Sequence, residues 1–277
     1  MARQNSRDNS MYSQRKVSGR SKNKTFLIVC EGTETEPNYF ASFQKIAHAK
    51  KIAKINIEPA GCVGKTLVEK AKNLKKLGNY ADDEVWCVFD RDLKKENNNQ
   101  QNFNAAIKTA IESKLNLAVS NDAFELWFLL HYEYYVSQTH RSDYEKLLSA
   151  KTRLNEKYEK NSKDMYDKLK DKQLDAIKFA KRLWSSYGDE NEVDDPDQLT
   201  IQERIKRHNM NPSTTVYQLV EKLNQVIFPE EKFNQSNTSE EEGIIAILII
   251  LIIASGNFLL LYKYFQCKSQ LSNSYIL

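Results

Sequence analysis

The sequence predicts an α/β fold: a mostly parallel sheet flanked by helices, with a helical insertion and a hydrophobic helix near the C-terminus. Three observations carry that expectation. Apolar runs of strand length alternate, over residues 25–135, with segments whose apolar residues recur at helical spacing. From 140 to 187 the strand-like alternation stops, and charges mix with Leu, Tyr and Phe as in amphipathic helices. Residues 243–262 then run without a single charged side chain.

The elements follow in order. Residues 1–24 are polar and without hydrophobic period, and read as a disordered basic arm. Thr25 to Cys30 reads as a buried strand. Pro37 suits a first helical position, and Tyr39, Phe40, Phe43, Ile46 and Ala47 repeat at helical spacing behind it. A short strand is expected over Ile52 to Ile57, a helix over Thr66 to Leu77, a strand over Val85 to Phe89 and a helix over Phe103 to Ser113. After a strand over Leu115 to Ser120, the apolar stretch Ala123 to Tyr135 predicts a helix. Two or three amphipathic helices fill 140–187, within an insertion of about 140–210 in a domain spanning 25–228. Asn211 to Thr215 reads as a helix start, with Val216, Leu219, Val220 and Leu223 as the apolar face. Residues 229–242 form a linker and 263–277 a tail.

The run 243–262 matches the roughly 20 residues that cross a bilayer core, so a C-terminal membrane anchor is expected. Glu240, Glu241 and Glu242 precede it; Lys263 and Lys268 follow it. Charge bias alone places the tail in the cytoplasm; the chemistry expected of the domain places the domain there instead, and the short tail outside.

With 277 residues and a hydrophobic fraction of 40%, the chain has enough apolar mass, including 12 Phe, 14 Tyr and 3 Trp, to exclude global disorder. The net charge of +4 is unevenly laid out: residues 1–24 carry seven Lys/Arg against one Asp, and the tail beyond 242 carries two Lys, so the body is net acidic. The arm, not the body, is the electrostatic candidate for nucleic acid. Cys30, Cys62, Cys87 and Cys267 show neither zinc spacing nor a disulfide framework. The N-terminus lacks the apolar core of a secretory signal, and a cytoplasmic domain is expected.

The chemistry sits at the strand ends. One apolar run meets Glu31-Gly32, the next Asp90-Arg91-Asp92, and the third Asn121-Asp122-Ala123-Phe124-Glu125. The carboxyl ends of parallel strands converge on one crevice, and carboxylates gathered there repel unless a divalent cation separates them. Hard oxygen donors suit Mg²⁺ or Mn²⁺. Alternation puts Asp90 and Asp92 on one side of a continuing strand; an acidic turn is the plain alternative. Glu31 has the placing of a general acid or base, or of an ordinary loop glutamate. Arg91 is a phosphate contact or a solvated side chain. Glu125 lies in apolar surroundings that require a partner or a metal, unless it faces away from them. His131, alone on an apolar helix, reads as structural. Gly61 to Thr66 resembles a P-loop, but Pro59 stands where that pattern needs glycine. What survives is a helix start at which backbone N–H groups, with Lys65, suit a phosphate.

Four ordered segments carry a resemblance: Cys30 to Phe40, Phe89 to Asp92, Ser120 to His131 and Asn211 to Thr215. Over roughly residues 24–228 they are similar to RloB-like proteins, a family that resembles the Toprim fold of topoisomerases, primases and OLD-type nucleases. The resemblance implies a bacterial defence protein of the abortive-infection or restriction-linked kind, with an AAA-type ATPase encoded alongside. It implies Glu31 as the catalytic glutamate, Asp90 and Asp92 as the metal-binding pair, and Glu36 and Glu125 as further acidic positions. Where the family more often has Pro after Ser-Asn, this chain has Asp122. The expected function is Mg²⁺-dependent nucleic-acid cleavage, as a Toprim-type nuclease toxin controlled by the ATPase. Two rivals stand beside it: a non-catalytic nucleic-acid-binding module, and an effector acting on the membrane through 243–277. The choice of DNA or RNA and the oligomeric state are left open.

Overall fold

The strand expected at 25–30 forms as β1 (Lys24–Cys30), and its neighbours explain its composition. Phe26 to Cys30 are all buried, because helices cover both faces of the sheet and a strand so placed needs apolar side chains on each side. Phe26, Ile28 and Cys30 enter one core; Leu27 and Val29 enter the other. β2 (Ala53–Pro59), β3 (Glu84–Asp90) and β4 (Asn116–Asn121) run parallel to β1 in the spatial order β2-β1-β3-β4. A two-residue β5 (Ser213–Thr214) pairs antiparallel with β4 at Ser120 and Asn121. This computed structural model describes residues 24–77, 80, 84–91, 99–188 and 195–229. Asp92, most of the basic arm, all of the linker but its first residue, the hydrophobic run 243–262 and the tail lie outside them.

The crossovers set the layers. α1 (Thr35–Lys50) leaves β1 onto the face packed by Phe26 and Ile28. α2 (Gly64–Lys76) and α3 (Asn99–Glu112) pack on the opposite face against Leu27, Val29 and Cys87. Neighbouring strands β1 and β3 therefore send their chains to opposite faces, which opens a crevice beyond their carboxyl ends. Pro37, expected at the first position of α1, is its third residue, still inside the first turn where no helical N–H is lost.

The rest of the chain covers the α1 face. α4 (Glu125–Leu129), α5 (Tyr144–Leu148), α6 (Met165–Leu169), α7 (Gln173–Ser185) and α9 (Val216–Ile227) pack there, while Ile205 of α8 (Ile201–His208) touches the other core. The Tyr39 ring is the hub: Phe40, Phe43, Phe124, Phe128 and Tyr166 surround it at centroid distances of 5.3 to 5.9 Å, and its hydroxyl accepts from Gln173.

Two expected elements differ. The helix expected over 123–135 lasts only five residues, Glu125–Leu129. Leu126 to Leu130 are buried all round, so α4 is a plug in the core with no polar face to prolong along the surface. The helix start expected at 211–215 is instead β5, with α9 beginning at Val216. The edge of β4 claims that backbone: Thr215 N–H donates to Val119 O (2.9 Å), Val119 N–H donates to Thr215 Oγ1 (3.0 Å), and Ser120 and Thr214 join through their hydroxyls. Among the described residues no helix is long and apolar enough to cross a membrane.

Candidate functional site

Glu31 is the first residue past β1, and its N–H donates to Val88 O at 2.8 Å, carrying the β1–β3 ladder one step beyond the strand. That step points its carboxylate across to the end of β3, where Oε2 accepts from Asp90 N–H at 3.4 Å. The two acids, 59 residues apart in sequence, thus meet at the crevice between β1 and β3. Glu36 arrives from the first turn of α1 and Glu125 from the first residue of α4. All four line one cleft of about 540 Å³, together with Arg141, Tyr144 and Tyr158 from the insertion.

Electrostatics confirm the crowding. Burial, followed by the nearby charge of Glu36, holds the Asp90 carboxyl well above the ordinary aspartate range; Glu125 and Glu31 add to this and Arg141 opposes it. Burial likewise raises Glu36, which is only 5% exposed, and the Glu125 charge adds to it. Hydrogen bonds from the Glu36 and Gly32 backbone pull the other way. Gly32 leaves room for this seat: a Cβ there would lie 2.3 Å from Glu36 Oε2 and the carboxylate would have to shift.

A carboxyl whose folded pKa is raised contributes stability that is present below its ordinary pKa and lost as pH rises through the folded value. The metal-free chain is therefore expected to lose stability from mildly acidic towards neutral pH. Glu36→Gln keeps an acceptor for the two backbone donors and removes the buried charge. It should raise Tm at neutral pH and flatten the pH dependence of Tm in EDTA; a Tm below wild type at every pH would refute the account.

The insertion supplies the cationic side. Arg141 Nη2 donates to Asp90 Oδ2 at 3.1 Å and to Asp122 O at 3.3 Å. Asp122 accepts from Arg141 N–H through Oδ2 at 2.9 Å, so its carboxylate holds the insertion loop against the end of β4. Tyr158 hydroxyl donates to Glu125 Oε1 at 3.1 Å. Asn161 ties the same segment to the start of α1, accepting from Thr35 Oγ1 and Asn38 Nδ2. None of Arg141, Tyr144, Tyr158 or Asn161 stands out in the sequence. They lie in a charged, helix-patterned stretch where a site residue has the same spacing as a solvated one, and only tertiary packing brings them to the cleft.

Of the remaining expected residues, Arg91 lines a small pocket with Glu31 and Asp90. Asp92 is outside the described residues. Arg91 is engaged within the fold: it donates to Asn209 O at 2.6 Å and to Gln100, and its guanidinium lies over Phe103. Lys65 is exposed, but its backbone N–H donates to Asn102 Oδ1 at 3.1 Å, so the amide at this helix start already has an internal acceptor. His131 is 1% exposed, bonds Trp127 O through Nδ1, and burial lowers its pKa to about 4, which suits a neutral structural ring.

Glu31, Glu36, Asp90 and Glu125 are an all-oxygen donor set with crowded negative charge, which fits a hard divalent cation in chemistry. Among the described residues, however, no three acidic, His or Cys side chains are grouped as ligands of one ion. Arg141 is instead the counter-charge on Asp90.

No curated protein and no solved structure matches the chain. The family model for RloB-like protein matches residues 26–223, from the first residues of β1 into α9. That span takes in the described sheet except Lys24 and Thr25 and every residue of the acidic cleft, and the chain belongs to the RloB-like family.

Proposed function

We propose that the cleft is the active site of a metal-dependent nuclease of the Toprim type, using Mg²⁺ or Mn²⁺ to hydrolyse phosphodiester bonds in nucleic acid. One observation carries the reading: four carboxylates from three separate segments meet at the crevice between β1 and β3, against their own repulsion. A fold keeps such an arrangement at a cost in stability, and active sites are where that cost is tolerated. Asp90, Glu36 and Glu125 would hold the cation, with Asp92 next along the chain. A cation there supplies Lewis-acid polarisation of the phosphodiester and a water of lowered pKa. Glu31 is placed to ligate or to take the proton of the attacking water. The basic arm adds salt-sensitive affinity for the substrate. In the cell the protein acts as a toxin in anti-phage abortive infection, restrained by an AAA-type ATPase partner, with the run 243–262 tethering a cytoplasmic domain to the membrane.

The purified chain, incubated with single- and double-stranded DNA, structured RNA and tRNA, should cleave at least one of them in Mg²⁺ or Mn²⁺ and none in EDTA. Absence of cleavage throughout the panel, with nucleic acid still bound, would favour a non-catalytic binding module, the reading to which the Arg141–Asp90 pair lends support. Gly32→Ala is a sharper test of the site. Its Cβ would stand 2.3 Å from Glu36 Oε2, so the carboxylate must shift, and a misplaced ligand group should weaken Mn²⁺ binding by about 10–100-fold. Unchanged Mn²⁺ affinity would remove Glu36 from the ligand set.

A further inference from the structure

The lining of the cleft contains a group that the acid cluster does not explain. Tyr144 is 1% exposed and lines the cleft, yet its hydroxyl has no hydrogen-bond partner among the described residues. A buried hydroxyl left so costs about 1–3 kcal/mol, and phenylalanine would fill the same space without that penalty. Burial above all disfavours ionisation of the phenol, and nearby Tyr135, Asp122, Asp90 and Glu125 add to it, so it stays an O–H donor. One helical turn away in sequence, Arg141 presents a guanidinium with 34% side-chain exposure, paired to Asp90. Lys160 lies on the same rim, exposed. A neutral buried donor beside a planar cation is what a phosphate oxygen needs, and guanidinium forks match phosphate geometry.

We infer that Arg141 and Tyr144, with Lys160 at the rim, form an anion subsite that binds the non-bridging oxygens of a nucleic-acid phosphate, in the same cleft as Glu31 and Glu36. The inference deepens the nuclease reading and rests on it. The subsite explains why an acidic cleft can admit a polyanion. It also assigns a task to the insertion, whose loop is pinned at Arg141 by Asp122 and at Asn161 by Thr35 and Asn38. Arg141 rests on Asp90; a bound phosphate would give the guanidinium a second anion.

The test uses the full chain and two probes in calorimetric titration: Mn²⁺ alone, and inorganic phosphate in the presence of Mg²⁺. Tyr144→Phe should weaken phosphate about tenfold, the scale of one hydrogen bond to a charged acceptor, while Mn²⁺ affinity and Tm stay at or above wild type. Arg141→Gln should weaken phosphate by at least about tenfold and leave Mn²⁺ binding equal or tighter, since it removes a cation from beside Asp90. Arg141→Lys should recover only part of the phosphate affinity, because an ammonium lacks the fork. Wild-type phosphate affinity in Tyr144→Phe, or a wild type that binds no phosphate, overturns the subsite. Parallel loss of Mn²⁺ in Tyr144→Phe also overturns it, by moving the hydroxyl to the cation. Phosphate binding that depends on both residues, in a chain that binds no Mn²⁺, would instead uphold the subsite and sink the metal-dependent reading.

Discussion

Glu31→Gln and Asp90→Asn are each expected to slow nucleic-acid cleavage by about 10³-fold, with the fold intact. Both replacements remove charge and keep shape. The Glu31 backbone bond to Val88 does not involve the side chain, and a glutamine amide oxygen can still accept from Asp90 N–H. Asparagine at 90 can still accept from Arg141, and one of the like charges that crowd the cleft is gone. Far-UV circular dichroism and Tm should therefore match or exceed wild type while single-turnover cleavage in saturating Mg²⁺ collapses. The double variant should be little worse than either single one, because residues that act on one reacting centre fail together and their losses do not add. Cleavage within a few-fold of wild type in either single variant would mean that the chemistry is done elsewhere on the chain.

The frame of this site is legible in the sequence for a definite reason. β1 and β3 are buried on both faces, so they read as unbroken apolar runs, and the first polar residue that ends each run marks the carboxyl end of the strand. Glu31 and Asp90 are those residues, and parallel strands bring their ends together. Glu125 was visible as a carboxylate in apolar surroundings, and its partner proves to be the Tyr158 hydroxyl. Legibility ends where periodicity ends. An all-apolar run such as Leu126 to Leu130 has no polar face, so nothing in it says that the helix stops at Leu129. β5 is a helix start by composition, and it becomes a strand only because the edge of β4 offers Val119, Ser120 and Asn121 to pair with. Arg91, a phosphate contact by sequence position, faces Gln100 and Asn209. The cation paired with Asp90 at the cleft is Arg141, 51 residues away in sequence and on the insertion.

Phe124→Ala should show how closely stability and site are joined. Phe124 is 1% exposed, and its ring packs edge-on against Tyr39, Phe40 and Phe128 at 5.9, 6.0 and 5.3 Å. Truncating a buried phenylalanine costs about 3–5 kcal/mol in lost transfer energy and residual cavity, which for a domain of this size lowers Tm by on the order of 10 °C. A comparable truncation at the surface, Leu174→Ala, should stay within about 0.5 kcal/mol. The second consequence follows from sequence adjacency. Phe124 is the residue before α4, so its ring anchors the turn that presents Glu125 to the cleft, while Tyr39 on the other side of the contact lies one helical turn after Glu36. A cavity between them frees both carboxylates at once. Mn²⁺ affinity measured well below the lowered Tm, where the variant is still folded, should therefore fall as well. Leu223→Ala removes apolar volume from the same core in α9, far along the chain from either acid. It should lower Tm comparably and leave Mn²⁺ binding alone. Equal losses of affinity in the two variants would show that the acids depend on overall stability and not on the aromatic contact between Phe124 and Tyr39.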